Sequence, residues 1–565
     1  MKRTQLSLAI ALATVLAACA GPVATPEPTA DPAPETRSNA PAAQPVVPQA
    51  PPPPPSMMLT EQAVGAGAIG RRRMEADLLQ AAPLAGPDRE SYQRPGDNPV
   101  RRAADDTVST FAVDVDTGSY GNVRRLLRAG RLPPADAVRA EEFINYFDYG
   151  YQVPAAGATP FAVHTELARA PWNRDRHLLL VGLQGHAVAR EDIPAVNMVY
   201  LIDTSGSMQS PDKLELLRQG FTLMTAQLRP QDRVAIVAYA GSAGLVLPAT
   251  PGSNQAAIMA ALDRLSAGGS TNGGAGIELA YAVAREQFIA GGVNRVVLAS
   301  DGDFNVGTTG VEALTSLVED RRRSGIGLTV LGFGGGNYND HLAEQLANTG
   351  NGTYHYIDTV QEARKVLVDQ LASTVLTIAQ DVKVQIEFNP ALVQEWRLIG
   401  YENRILARED FNNDRVDAGE IGAGHSVTAL YELALVGSGG AASDPLRYAA
   451  PGPSGPAGSE LAFLRLRHQQ PGGSASRLVE HPIGLAGVDA SGSERLRFAA
   501  AVAGFADALR GGRHLGGWGL PELADLAQGA RGADADGYRA EFLQLIEVAD
   551  RLATPAPDRR VGIAD

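Results

Sequence analysis

The apolar run Val196-Asn197-Met198-Val199-Tyr200-Leu201-Ile202 stops abruptly at Asp203-Thr204-Ser205-Gly206-Ser207. A run with almost no polar face suits a strand covered on both sides, and an end in Asp, Ser and Gly marks a loop. Ser210-Pro211 then offers a helix N-cap with proline in the first helical position. Leu214, Leu217, Phe221, Met224 and Leu228 follow at helical spacing. Strand, polar loop, helix places the loop at the carboxyl edge of an open α/β sheet, where such folds build their ligand sites. Asp203, Ser205 and Ser207 stand at alternate positions, so their oxygens can point one way. Hard oxygens gathered on one side suit a hard divalent cation, Mg2+ above all.

Two later segments repeat the pattern. The loop Ser266-Ala267-Gly268-Gly269-Ser270-Thr271-Asn272-Gly273-Gly274 brings the Thr271 hydroxyl ahead of a helix beginning near Ile277. Arg295-Val296-Val297-Leu298-Ala299 reads as a second buried strand ending in Ser300-Asp301-Gly302-Asp303, so Asp301 stands on its strand where Asp203 stands on the first. A lone Asp-x-Ser-x-Ser is usually a loop with a capping serine. With both companion loops in order, the set resembles the metal-ion-dependent adhesion site of von Willebrand factor A domains, at Asp203, Ser205, Ser207, Thr271 and Asp301. The resemblance implies a Rossmann-like, doubly wound α/β domain, placed here at 195–376. It also implies a bound Mg2+ (or Mn2+ or Ca2+ in its place) whose open position accepts an Asp or Glu carboxylate of a partner protein. Hydroxyl ligands neutralise none of the ion's charge, which keeps it receptive to that carboxylate.

The single cysteine, Cys19, excludes disulfides within the chain and any Cys-based zinc or iron–sulfur site. Net charge is −14 and no basic stripe interleaved with aromatics occurs, so nucleic acid is not an expected partner. Met1-Lys2-Arg3 and the apolar stretch Leu6 to Ala18 form a signal peptide, 1–18. Leu16-Ala17-Ala18-Cys19 resembles the lipobox of bacterial lipoproteins. That resemblance implies a lipid anchor on Cys19 in the cell envelope, and Ala20 in the next position is compatible with the outer membrane. Proline-rich sequence over 19–98, with the run Pro51 to Pro55, reads as a disordered tether.

Around the α/β domain, Asp114-Val115-Asp116-Thr117-Gly118-Ser119-Tyr120, Leu132-Pro133-Pro134 and Glu142-Phe143-Ile144-Asn145-Tyr146-Phe147 resemble the N-terminal module of bacterial lipoproteins carrying an A domain. Tyr401-Glu402-Asn403-Arg404 and Asp417 to His425 resemble their C-terminal module. Alternating patterns at 382–388, 426–433 and 460–468 predict strands that pair with strands at 161–182. The A domain is then an insertion between flanking modules, 99–194 and 377–555, that form a β-sandwich. A helical segment from Glu494 and a tail at 556–565 complete the chain.

Catalytic readings find less support. Asp116-Thr117-Gly118 lacks the second motif an aspartic protease needs. Asp410-Phe411-Asn412-Asn413-Asp414 opens like a calcium loop, but Arg415 and Ile421 stand where glycine and glutamate are required. Gly334-Gly335-Gly336 has the wrong spacing for a dinucleotide fingerprint. Asp303 and Tyr239 are the general-base candidates near the loops, without an evident partner. The expected function is metal-dependent binding of a protein ligand, for envelope adhesion or complex assembly. A metal-dependent hydrolase and a structural envelope protein are the alternatives.

Overall fold

The computed structural model describes residues 89–93, 96–154, 159–302, 310–444, 458–473, 475–485 and 491–554. The signal peptide, Cys19, the proline-rich stretch up to 88, Asp303 and the tail lie outside them. Among the described residues no helix is long and apolar enough to cross a membrane.

The chain first lays down β1 (Arg101–Arg102), β2 (Val108–Ala112), β3 (Phe161–Ala170) and β4 (Asn173–Gly185). Six central strands follow: β5 (Val196–Asp203), β6 (Arg233–Tyr239), β7 (Ala243–Pro251), β8 (Val293–Ser300), β9 (Gly327–Phe333) and β10 (Tyr354–Ile357). The last set is β11 (Thr377–Phe388), β12 (Val393–Ile399), β13 (Gly419–Gly422), β14 (Ser426–Leu435), β15 (Glu460–Gln469) and β16 (Ser476–Gly484).

The central strands form one sheet in the order β10-β9-β8-β5-β6-β7, parallel except for β7 at one edge. β5 shows why it must be covered twice. Met198, Tyr200 and Ile202 face Leu217, Phe221, Met224, Leu262 and Val366. Val199 and Leu201 face Ile277, Tyr281, Leu314 and Leu346 on the other side. Strand side chains alternate between faces, so a run apolar at every position draws helices onto both. Each such fully buried side chain contributes about 1.5–3 kcal/mol.

The outer strands build two facing sheets. One has the order β1-β12-β14-β4-β3; the other runs β13-β11-β15-β16, with β2 also paired to β11. Phe111, Leu179, Leu183, Ile386, Leu398, Leu433 and Leu464 share one core between them. This is a β-sandwich whose strands come from both sides of the central unit. The predicted partners of 161–182 are correct in part. Strand 426–435 does lie beside β4, with Thr428 opposite Gly182. The strands at 382–388 and 460–468 instead pair with each other in the facing sheet, Val384 opposite Leu466. Both sheets bury one face into a common core, so alternation reports the buried side and leaves the neighbour undetermined.

Helices Glu494–Leu509, Leu520–Gly529 and Tyr538–Ala553 pack with the early segment carrying Tyr120, Phe143 and Phe147 in a further core. The first of them starts at Ser493, whose hydroxyl accepts the Leu496 amide at 3.3 Å. Residues 89–93 and 96–98, compositionally the end of the tether, make contacts with the folded part. The Arg89 and Ser91 amides donate to the carbonyls of Gly336 and Tyr338, each at 2.9 Å. The Glu90 carboxylate accepts from Arg125 at 2.9 Å and from the Gly336 amide at 2.7 Å. Asn98 donates to the Gly400 carbonyl at 2.7 Å. Main-chain pairing of this kind is independent of side-chain hydrophobicity, which is why composition alone assigned these residues to the tether.

Candidate metal site at the carboxyl edge of the central sheet

β5 lies between β6 and β8, with Ile202 opposite both Ala238 and Ala299. From β5 the chain proceeds to β6 and β7 on one side and later to β8, β9 and β10 on the other. The carboxyl ends of β5 and β8 therefore flank the point where the winding reverses, the usual crevice for a ligand in such sheets.

Asp203 ends β5 fully buried. Its Oδ1 accepts the Ser205 amide at 2.9 Å, while Oδ2 accepts the Tyr239 hydroxyl at 3.2 Å and the Ser300 hydroxyl at 3.1 Å. The Ser205 and Ser207 hydroxyl oxygens lie 3.0 Å apart. The Thr271 loop is fastened to this turn through the backbone: the Gly268 amide donates to the Thr204 carbonyl at 2.8 Å, and the Gly206 amide to the Gly269 carbonyl at 3.0 Å. Asn272 then caps helix Gly273–Glu286 by accepting the Ala275 amide at 3.4 Å. That helix presses on Tyr239, and a Cβ at Gly276 would stand 2.9 Å from the tyrosine ring.

Asp301 follows β8, also fully buried. Its Oδ2 accepts Lys213 Nζ at 2.9 Å and Asn337 Nδ2 at 3.5 Å. Burial pushes the Asp203 carboxyl up to about 6; the Ser205 hydrogen bonds oppose this and the Asp301 charge adds to it. Asp203 and Asp301 are thus within electrostatic reach of each other. The turn at Asp203, the Thr271 loop and Asp301 meet at one edge of the sheet. Neutral hydroxyls beside two buried carboxylates, without sulfur or imidazole, fit a hard divalent cation.

Lys213, Ser300 and Asn337 belong to the site but did not announce themselves in the sequence. A lysine in the first turn after Ser210-Pro211 resembles a solvated surface residue; only the fold carries it under the 334–337 loop to Asp301. The base candidate Tyr239 is a hydrogen-bond donor here, its phenol held well above its usual range by burial and then by Asp203. Asp116, of the Asp-Thr-Gly triplet, accepts the Tyr354 amide at 2.8 Å and pairs with Arg404 at 3.3 Å. Asp414, in the calcium-like turn, pairs with Arg467 at 2.9 Å.

A separate buried group, Asp114, Glu142 and Glu344, has oxygens within 4.8 Å of one another. Arg404 pairs with Asp114 at 3.0 Å, and Arg139 bridges Glu142, Asp340 and Glu344. This cluster joins helix Asp340–Thr349 to the outer modules.

Residues 198–303 match the family described as von Willebrand factor type A domain, and residues 86–180 one described as von Willebrand factor. Residues 373–552 match the family described as uncharacterized protein YfbK, C-terminal. Uncharacterized protein YfbK of Escherichia coli (strain K12) is 48% identical over 483 residues, which cover 84% of this chain and 84% of that protein. The chain belongs to the YfbK family of von Willebrand factor type A domain proteins. Among solved structures, von Willebrand factor type A from Catenulispora acidiphila is 15% identical with a TM-score of 0.39, covering 68% of this chain and 89% of its own. Proximal thread matrix protein 1 from the mussel byssus, with a zinc-occupied MIDAS motif, is 21% identical with a TM-score of 0.27, covering 31% of this chain and 45% of its own. In the YfbK-family chain the central sheet and its helices are the A domain, and A domains are in general protein-interaction modules.

Proposed function

We propose that the chain is a protein-binding module of the bacterial envelope. Its A domain engages an Asp or Glu carboxylate of a partner protein through a divalent cation held by Asp203, Ser205, Ser207, Thr271 and Asp301. The observation that carries this reading is the convergence of the Asp203, Ser205 and Ser207 oxygens at the reversal point of the sheet, beside buried Asp301. When bound, Mg2+ (or Mn2+ or Ca2+) supplies an electrophilic position open to an external anion. The chain's own residues do the rest. Tyr239 and Ser300 fix the Asp203 carboxylate, and the two backbone bonds fix the Thr271 loop. Anchoring of the envelope protein, in the outer membrane, is assigned to lipid on Cys19.

Capture of envelope proteins on the immobilised chain tests the reading. Capture is expected with Mg2+, and to disappear with excess chelator or with Asp203→Ala at unchanged circular dichroism. Capture that persists in chelator overturns it. Labelling with a radioactive fatty acid tests the anchor: wild type is expected to take up label and Cys19→Ser to lose both label and membrane association.

A further inference from the structure

We propose that Lys213 is a built-in counter-charge of the metal site. It cancels one of the two aspartate charges, so that the site holds a divalent cation weakly alone and firmly once a partner carboxylate is added. The inference rests on the metal-site reading above and concerns how that site is regulated.

Lys213 lies in the π-helical turn Pro211–Glu215 that follows the Asp203 loop, and only 5% of the residue is exposed. Its ammonium donates to Asp301 Oδ2 at 2.9 Å and to Asn337 Oδ1 at 3.2 Å. The route there is built for it. At Gly334, with φ of +64°, a Cβ would stand 2.3 Å from the lysine Cε. Glycine at that position both permits the left-handed backbone and leaves the lysine stem its channel. A buried ammonium is costly without an ion-pair partner, and here that partner, at 2.9 Å, is a proposed metal ligand.

The consequence is electrostatic. Among the described residues, Asp203 and Asp301 bring two negative charges and Lys213 one positive, leaving one against a divalent ion's two. An incoming carboxylate supplies the missing charge. Occupancy by metal and by partner thereby become linked, and each is weak without the other.

The test is Mn2+ binding to the full chain by titration calorimetry, with no partner present, on wild type, Lys213→Met, Lys213→Gln, Lys213→Arg and Asp203→Ala. Both neutral variants are expected to bind Mn2+ at least about tenfold more tightly than wild type, because a cation facing the site has been removed. Lys213→Arg is expected to stay within about threefold of wild type, since it keeps the charge. Having two neutral variants keeps the test decisive should one fail to fold. Equal or weaker binding by the neutral variants, with Asp203→Ala abolishing binding, overturns the counter-charge and leaves the metal site standing. It would mean that Lys213 merely holds Asp301 in place. Unchanged binding in Asp203→Ala overturns the metal-site reading itself.

Discussion

Both oxygens of Asp203 are committed before any ligand arrives, one to the turn's own backbone and one to Tyr239 and Ser300. Such orientation reduces the ordering a site must undergo when it binds. Tyr239→Phe removes one bond and keeps the ring, so Mn2+ affinity in titration calorimetry is expected to fall about fivefold, the equivalent of about 1 kcal/mol. An unchanged affinity would show that Ser300 suffices. A second residue-scale consequence concerns pH. His355 is buried between the hydroxyls of Thr117 at 2.8 Å and Thr353 at 3.0 Å, and burial holds its imidazole down at about 3; buried His425 sits at about 4. Both are neutral in the fold but take protons below about 6.5 when unfolded. Their contribution is fully present above pH 6.5 and declines as pH falls toward 4, by roughly 1.4 kcal/mol per unit for each. Raised buried carboxyls such as Asp203 act in the opposite direction, so the histidine share is read by difference: on going from pH 7.5 to 5.0 in urea unfolding, His355→Gln should lose less stability, or gain more, than wild type.

At the scale of elements, the helix after the Thr271 loop approaches β6 closely enough that Gly276 meets Tyr239. Gly276→Val is expected to displace the ring and destabilise the fold by about 1–3 kcal/mol, measured by urea denaturation, with Mn2+ affinity falling alongside. The sequence displays elements of this kind when the information is local. The run ending at Asp203 and its counterpart ending at Asp301 carry their burial in their own composition, so strand and following loop are legible together. Partnership is not local. Val384 and Leu466 alternate as Thr428 and Leu433 do, yet they belong to the opposite sheet. Asp340 and Asn339 are equally able caps by chemistry. Asn339 takes the role, accepting the Leu342 amide at 3.2 Å, because Arg139 claims Asp340 from another module. Thr359 and Glu362, three residues apart, could form a capping box, but only half of it is made. Thr359 accepts the Glu362 amide at 3.2 Å, while the Glu362 carboxylate goes to Arg124 and Tyr146.

Across the whole molecule, Arg124 is the joint. It is 2% exposed and donates to Asp358 at 2.8 Å, Glu362 at 2.8 Å, Tyr146 at 2.9 Å and Glu541 at 3.1 Å. One guanidinium thus ties the early helix Gly118–Arg128, the last helical segment of the A domain and the C-terminal helix Tyr538–Ala553. Removing a buried cation strands its carboxylates, so Arg124→Met is expected to lower stability by about 3–5 kcal/mol. Differential scanning calorimetry is expected to show one transition for wild type and separate ones for Arg124→Met. Retention of one transition at the wild-type temperature would show that the modules hold together without the arginine.

The same wiring decides where mechanical load enters. With the chain ahead of Arg89 anchored as proposed, load would fall first on the bonds that Arg89, Glu90 and Ser91 make with Gly336 and Tyr338, the loop that also holds Asn337 beside Asp301. On the proposed reading, traction from that end would reach the candidate metal site before the sandwich, so pull on the anchor and grip on a partner would be felt in one place.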